Sequence, residues 1–131
     1  MKNALILSAT AALTFAAVPA TLSAAPLRGS GSATASLRQT VAVNGVRISP
    51  LSVIEDSRCP SNARCVWAGQ VKVRTRIAYR GVVTSQDLTL GKPARLRGAT
   101  VELTSVRPEK WSTRPIQPRN YRFTFRIDRG W

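Results

Sequence analysis

Nine residues constrain this chain more than any others. Val71, Val73, Thr75, Ile77 and Tyr79 alternate with Lys72, Arg74, Arg76 and Ala78. A period of two sends the first set to one face of a β-strand and the second to the other. One face is therefore apolar and the other cationic. Arg80-Gly81 predicts a tight turn, and folding back over it pairs Tyr79 with Val82, Val73 with Leu88 and Val71 with Leu90. The same register sets Arg74 opposite Asp87, an oppositely charged cross-strand pair. A single register that satisfies both faces is well specified, because a one-residue slip would turn every side chain over.

The alternation returns along the chain. Val41 to Ile48 reads as a hairpin around Asn44-Gly45, whose residues suit the two positive φ angles of a type I′ turn. Val43 then faces Val46, and Val41 faces Ile48. Leu51 to Glu55 continues as strand. Arg97-Gly98 reads as another turn, followed by a strand through Ala99, Val101 and Leu103. Tyr121, Phe123, Phe125 and Ile127 alternate with Arg122, Thr124, Arg126 and Asp128 as the last core strand. Between them, Arg107 to Pro118 carries three prolines and Trp111 and reads as an irregular loop. No helical period is sustained. The expected fold is all-β, a small antiparallel sandwich or barrel of about seven to eight short strands. Periodicity does not encode strand order, so both remain open. A weak echo links Gly45–Val53 with Gly98–Val106 and reads as two similar hairpins rather than a duplication.

The first 25 residues look different. Met1-Lys2-Asn3 is a short cationic start, and Ala4 to Val18 is apolar apart from Ser8, Thr10 and Thr14. Pro19 and small residues through Ala25 follow. This is the layout of a cleavable secretory signal, with a cut expected somewhere from 20 to 25. No cysteine lies near the cut, so no lipid anchor is expected there. Residues 26–37, rich in Gly, Ser and Ala, read as a flexible arm, leaving 38–131 as a single β-domain. Export to the periplasm or the exterior follows, with no transmembrane segment.

Export governs the reading of the two cysteines. In an oxidising compartment Cys59 and Cys65 are expected to form a disulfide closing a seven-residue ring. Chain-entropy arithmetic gives such a ring about 2 kcal/mol. The spacing does not suit a thioredoxin-like redox pair. The chain has no His, which removes His-based triads, general bases and metal sites. Only six Asp and Glu are present, and Glu55 and Asp56 are adjacent, so on a strand they point to opposite faces. That spoils a paired-carboxylate mechanism, and no catalytic residues, cofactor or metal are expected.

The densest motif runs from Glu55 to Gly69. Pro60 fixes the backbone where the ring begins, and Ser61-Asn62 suit a turn. Asp56 is placed to accept loop N–H groups or to pair with Arg58 or Arg64. Trp67 is placed to cover the disulfide, and Gly69 permits a bend before the next strand. The wording Asp-Ser-Arg-Cys-Pro, a few residues, Cys-x-Trp-Ala-Gly resembles an element of small, uncharacterised exported bacterial proteins. The resemblance spans 15 residues and implies location and architecture, with no activity to carry over. The loop reads either as a pinned crossover or as a rigid recognition tip built on Asp56, Arg58, Pro60, Arg64 and Trp67.

Charge supplies the second candidate surface. Lys and Arg number 20, giving a net charge of +14 that becomes +13 if the signal and its Lys2 are lost. Lys72, Arg74 and Arg76 project from one strand, and Arg122 and Arg126 from the last. If those strands are neighbours, five cations share one face suited to phosphate or carboxylate. The alternative is a merely solvated basic surface. The expected function is a non-enzymatic exported domain that binds anionic envelope polymers through this face. The rival is an inhibitor-like module that presents the Cys59–Cys65 loop to an envelope protein. A monomer without sequence-specific nucleic-acid binding is expected, since no recognition helix or base-stacking motif is present.

Overall fold

In a computed structural model of the chain, residues 10–19 and 29–129 are described. The candidate cleavage positions from 20 to 25 lie outside the described residues. Among the described residues eight strands form: β1 (Gly29–Ala35), β2 (Val41–Val43), β3 (Val46–Asp56), β4 (Val71–Tyr79), β5 (Val82–Thr89), β6 (Ala94–Leu96), β7 (Ala99–Arg107) and β8 (Arg122–Arg129). They make two antiparallel four-stranded sheets, one ordered β1-β8-β7-β6 and the other β2-β3-β4-β5. Among the described residues no helix is long and apolar enough to cross a membrane.

The alternation in the sequence explains the layering. Val71, Val73, Thr75, Ile77 and Tyr79 of β4 are buried, and so are Phe123, Phe125 and Ile127 of β8 and Ala99, Val101 and Leu103 of β7. These inner faces form one core with Val46 and Ile48 of β3 and Leu88 of β5. Burial of this apolar area is the main favourable term for folding. Thr75 is buried among them, and its hydroxyl donates to the Gln86 carbonyl at 2.7 Å.

The hairpin registers are as the sequence predicts. Val41 pairs with Ile48 and Val43 with Val46 around Asn44-Gly45, whose φ angles are 51° and 79°. Tyr79 pairs with Val82, Val73 with Leu88 and Arg74 with Asp87 around Arg80-Gly81, at 50° and 77°. Both turns thus carry two positive φ values, which match the right-handed twist of the strands they join. The Gly45 and Gly98 segments that echo each other both open the long strand of a short-long hairpin, one in each sheet.

The arm expected over 26–37 is different in the structure. Gly29–Ala35 is strand β1, paired with β8 from Gly29↔Arg129 to Ala35↔Phe123. Its small residues give it little apolar area, which hid it in the sequence, but they let it lie close to its neighbours. A Cβ on Gly31 would sit 2.6 Å from Val43 Cγ1. Asn44 Nδ2 donates to the carbonyls of Gly29 and Ile127, both at 3.1 Å, and so ties the β2–β3 turn to the other sheet. Ladder hydrogen bonds and this close fit hold the segment rather than side-chain burial.

Candidate functional site

The end of the sandwich where β3 leaves and β4 begins carries the cysteine loop. Gly69 makes its return possible: φ is +67°, and a Cβ there would lie 1.8 Å from the Ser57 carbonyl oxygen. The loop mouth closes through Ser57 N–H to the Gln70 carbonyl (2.8 Å) and Gln70 N–H to Ser57 Oγ (2.9 Å). Cys59 and Cys65 are disulfide-bonded, with Cα atoms 5.8 Å apart.

Beneath the ring lies a polar knot. Arg58 donates Nε and Nη2 to the two carboxylate oxygens of Asp56, each at 2.9 Å, and Nη1 to the Val106 carbonyl at 3.0 Å. Tyr121 donates its hydroxyl to Asp56 Oδ2 at 2.8 Å, and Lys110 Nζ donates to the Asp56 carbonyl at 2.6 Å. The Arg58 and Asp56 side chains are only 16% and 9% exposed. Burial pushes the Asp56 carboxyl up, but the Arg58 fork and the Tyr121 hydroxyl outweigh it, so its pKa falls below the ordinary value. Burial and the hydrogen bond to Asp56 push the Tyr121 hydroxyl up to about 12. The Asp56 hydrogen bond raises Arg58 further, against its own burial. Asp56 and Arg58 are thus committed to joining β3, β7, the 107–118 loop and Tyr121 at the entry to β8. Their fork is the bidentate arrangement that gives the strongest ion pairs.

Glu55 faces the other way, as strand alternation demands. Hydrogen bonds from Gln70 Nε2 (2.8 Å) and Ser57 Oγ (3.0 Å), with Lys72 opposite on β4, lower its pKa. The two adjacent carboxylates never meet. Among the described residues no cluster of three or more Cys, Asp or Glu is placed to hold a metal ion.

The 107–118 loop packs beside the ring and braces it. Ser61 N–H donates to the Lys110 carbonyl (2.7 Å) and Ser61 Oγ to Glu109 (3.2 Å). Asn62 Nδ2 donates to Ser112 Oγ (2.7 Å), and Ser112 N–H returns to Asn62 Oδ1 (3.0 Å). A groove of about 540 Å³ runs here, lined by Pro60, Lys110, Trp111, Arg114, Pro115 and Ile116 among others, and reaching Asp56 and Tyr121. Trp67 does not cover the disulfide as expected. It is 83% exposed, its neighbour Val66 is 91% exposed, and Trp111 is half-exposed. The ring is braced instead by the 107–118 loop, and the indole stands free in solvent. Arg64 is exposed and, among the described residues, has no hydrogen-bond or ion-pair partner, so it is not the partner of Asp56.

The proposed five-cation face does not assemble. Lys72, Arg74 and Arg76 lie on β4 and Arg122 and Arg126 on β8, and these strands belong to different sheets. Each set points away from the shared core, so the two sets leave from opposite outer faces. The charges are also partly answered. Arg74 Nε meets Asp87 at 3.2 Å, and Arg126 meets Glu102 at 2.7 Å and Asp128 at 3.3 Å. Arg122 Nη1 donates to the carbonyls of Arg119 and Tyr121. Inward and outward positions were readable in the sequence, but which strands share a sheet was not.

Sequence reasoning missed Tyr121, Lys110 and the Val106 carbonyl as partners of the Asp56–Arg58 pair. They lie 48 to 65 residues away in the chain, and no local spacing marks them. Comparison with protein-family models, curated proteins and solved structures finds no match.

Proposed function

We propose that the protein is an exported, non-enzymatic binding module that captures a protein partner in the cell envelope or outside the cell through its braced loop end. One observation carries this reading. Val66 and Trp67 stand almost fully in water on a loop tied down by a disulfide, a closed mouth and a second loop. Large apolar side chains held in solvent on a rigid frame have the character of binding anchors, and tryptophan and arginine dominate such anchors. Rigidity also lowers the entropy lost on binding. Arg64 lies two residues before Val66 in the loop, and Lys110 and Arg114 line the adjoining groove with Trp111, which favours a partner with an apolar centre and an acidic rim. The N-terminal signal pattern supports export, and the disulfide suits an oxidising compartment.

The test places a photo-crosslinking amino acid at position 67, and separately at position 76 on the outer sheet face, in cells that export the protein. A discrete protein adduct from position 67, lost in Trp111→Ala and absent from position 76, is expected. Equal adducts from both positions would refute it, as would none from either. A parallel arm measures retention on immobilised heparin across a salt series. Loss of retention on substituting Lys72, Arg74, Arg76, Arg122 and Arg126 with Gln, but not on substituting five other cations, would return the function to the sheet faces. Counterion release alone weakens both variants alike.

A further inference from the structure

We infer a second binding site, at the opposite end of the second sheet, for a single-chain amphiphile with a carboxylate or phosphate head. The β4–β5 turn lies at the far end of β4 from the disulfide loop, and β4 itself is about 26 Å long, eight residue steps at about 3.3 Å each. Here a cleft opens among residues of β4, β5 and the β6–β7 hairpin. β6, the edge strand facing β5 across the sandwich, has only three residues, and the end of β5 is left uncovered. Val82, paired with buried Tyr79, is 62% exposed for that reason.

The opening is a cleft of about 300 Å³, lined by Ile77, Tyr79, Val82 and Leu96 with Arg80 and Arg97. That volume lies at the lower end of small-ligand sites. Its lining is mainly apolar, and no acidic residue belongs to it. Among the described residues neither Arg80 nor Arg97 makes an ion pair. Tyr79 adds an independent observation. Its hydroxyl is sealed from solvent and has no hydrogen-bond partner among the described residues. Buried polar groups are rarely left so, and a head group that displaces the lining enough to reach this hydroxyl would supply its missing partner. Arg80 lies over the same ring, with Cζ 5.2 Å from the centroid, and Arg129 also contacts it at 5.6 Å. The cleft thus offers an apolar slot for one aliphatic chain, with two guanidinium groups for an anionic head and an unpartnered hydroxyl behind its wall.

The site is tested on the purified protein with dodecanoate and dodecyl phosphate below their micelle concentrations, with dodecanol as the neutral chain, and with anionic phospholipid vesicles. Calorimetry reads affinity, and backbone amide shifts in NMR spectra read location. Saturable one-to-one binding is expected for both anions, with shifts centred on residues 79–84 and 96–97. Dodecanol should bind at least tenfold more weakly. Arg80→Glu and Arg97→Glu should each weaken dodecanoate at least tenfold, and Tyr79→Phe severalfold. The double change Arg47→Gln/Arg76→Gln, on the outer face, should have no effect. Absence of saturable binding would overturn the inference. So would equal binding of dodecanol, shifts centred on the loop end, adsorption to vesicles without binding of the monomers, or equal weakening by the outer-face variant. None of these results depends on the loop end acting as a binding surface.

Discussion

Asp56→Ala tests the knot most directly. The carboxylate accepts three hydrogen bonds, two from the Arg58 fork and one from Tyr121. Its removal leaves a mostly buried guanidinium with only the Val106 carbonyl. Orphaning one member of a buried pair costs about 3–5 kcal/mol, and the residual exposure here argues for the lower end, about 3 kcal/mol. A domain of this size has about 5–15 kcal/mol in total. At about 4–8 °C per kcal/mol, the melting temperature should fall by roughly 12 °C or more. Calorimetry and near-ultraviolet circular dichroism of oxidised protein provide the assay. Asp56→Ala/Arg58→Met should be less destabilised than Asp56→Ala alone, because it removes the orphaned charge as well. Arg64→Ala, at an exposed and unpartnered position, should stay within about 0.5 kcal/mol of the parent. A loss below about 1 kcal/mol for Asp56→Ala, or a double variant as unstable as the summed singles, would refute the reasoning. The pH dependence has a fixed sign. The folded pKa of Asp56 is depressed, so its contribution is present above the ordinary value of 3.8 and is lost as pH falls through the folded pKa. The gap between parent and Asp56→Asn should therefore close on acidification.

Three further outcomes are expected. Tyr121→Phe should flatten stability on the alkaline side: a hydroxyl raised to about 12 stabilises fully below its unfolded pKa of about 10 and loses that contribution as pH rises through 12, measurable by denaturant titration across that window. Gly69→Ala should cost more than about 1 kcal/mol, since both φ and the Ser57 carbonyl oppose a Cβ. Hydrogen exchange should then quicken at Ser57 and Gln70 while the Phe123 and Phe125 amides stay protected, and unchanged loop protection would count against the close approach. Reduction of the Cys59–Cys65 ring should expose two titratable thiols and cost about 2 kcal/mol without abolishing cooperative unfolding, because the core lies between the sheets and not in the loop.

The Val71–Tyr79 alternation fixed a strand, its inner face and, with Arg80-Gly81, the register that sets Arg74 against Asp87. Asn44-Gly45 did the same for the β2–β3 hairpin. These are local facts: the strand period, two positive φ angles and short loop closure leave few alternatives. The Glu55–Asp56 split was equally legible, because neighbours on a strand face opposite ways. β1 was not legible, since Gly29–Ala35 offers almost nothing to bury and is held by its pairing with β8, far away in sequence. Tertiary structure alone decided that β4 and β8 belong to different sheets, dispersing the five cations. It alone set Tyr121 and Lys110 against Asp56, left Trp67 in water, and opened a cleft beside Tyr79. Periodicity tells each side chain which side of its own strand it occupies. It carries no information about which strands lie side by side, because that depends on packing among elements whose contacts are distant along the chain.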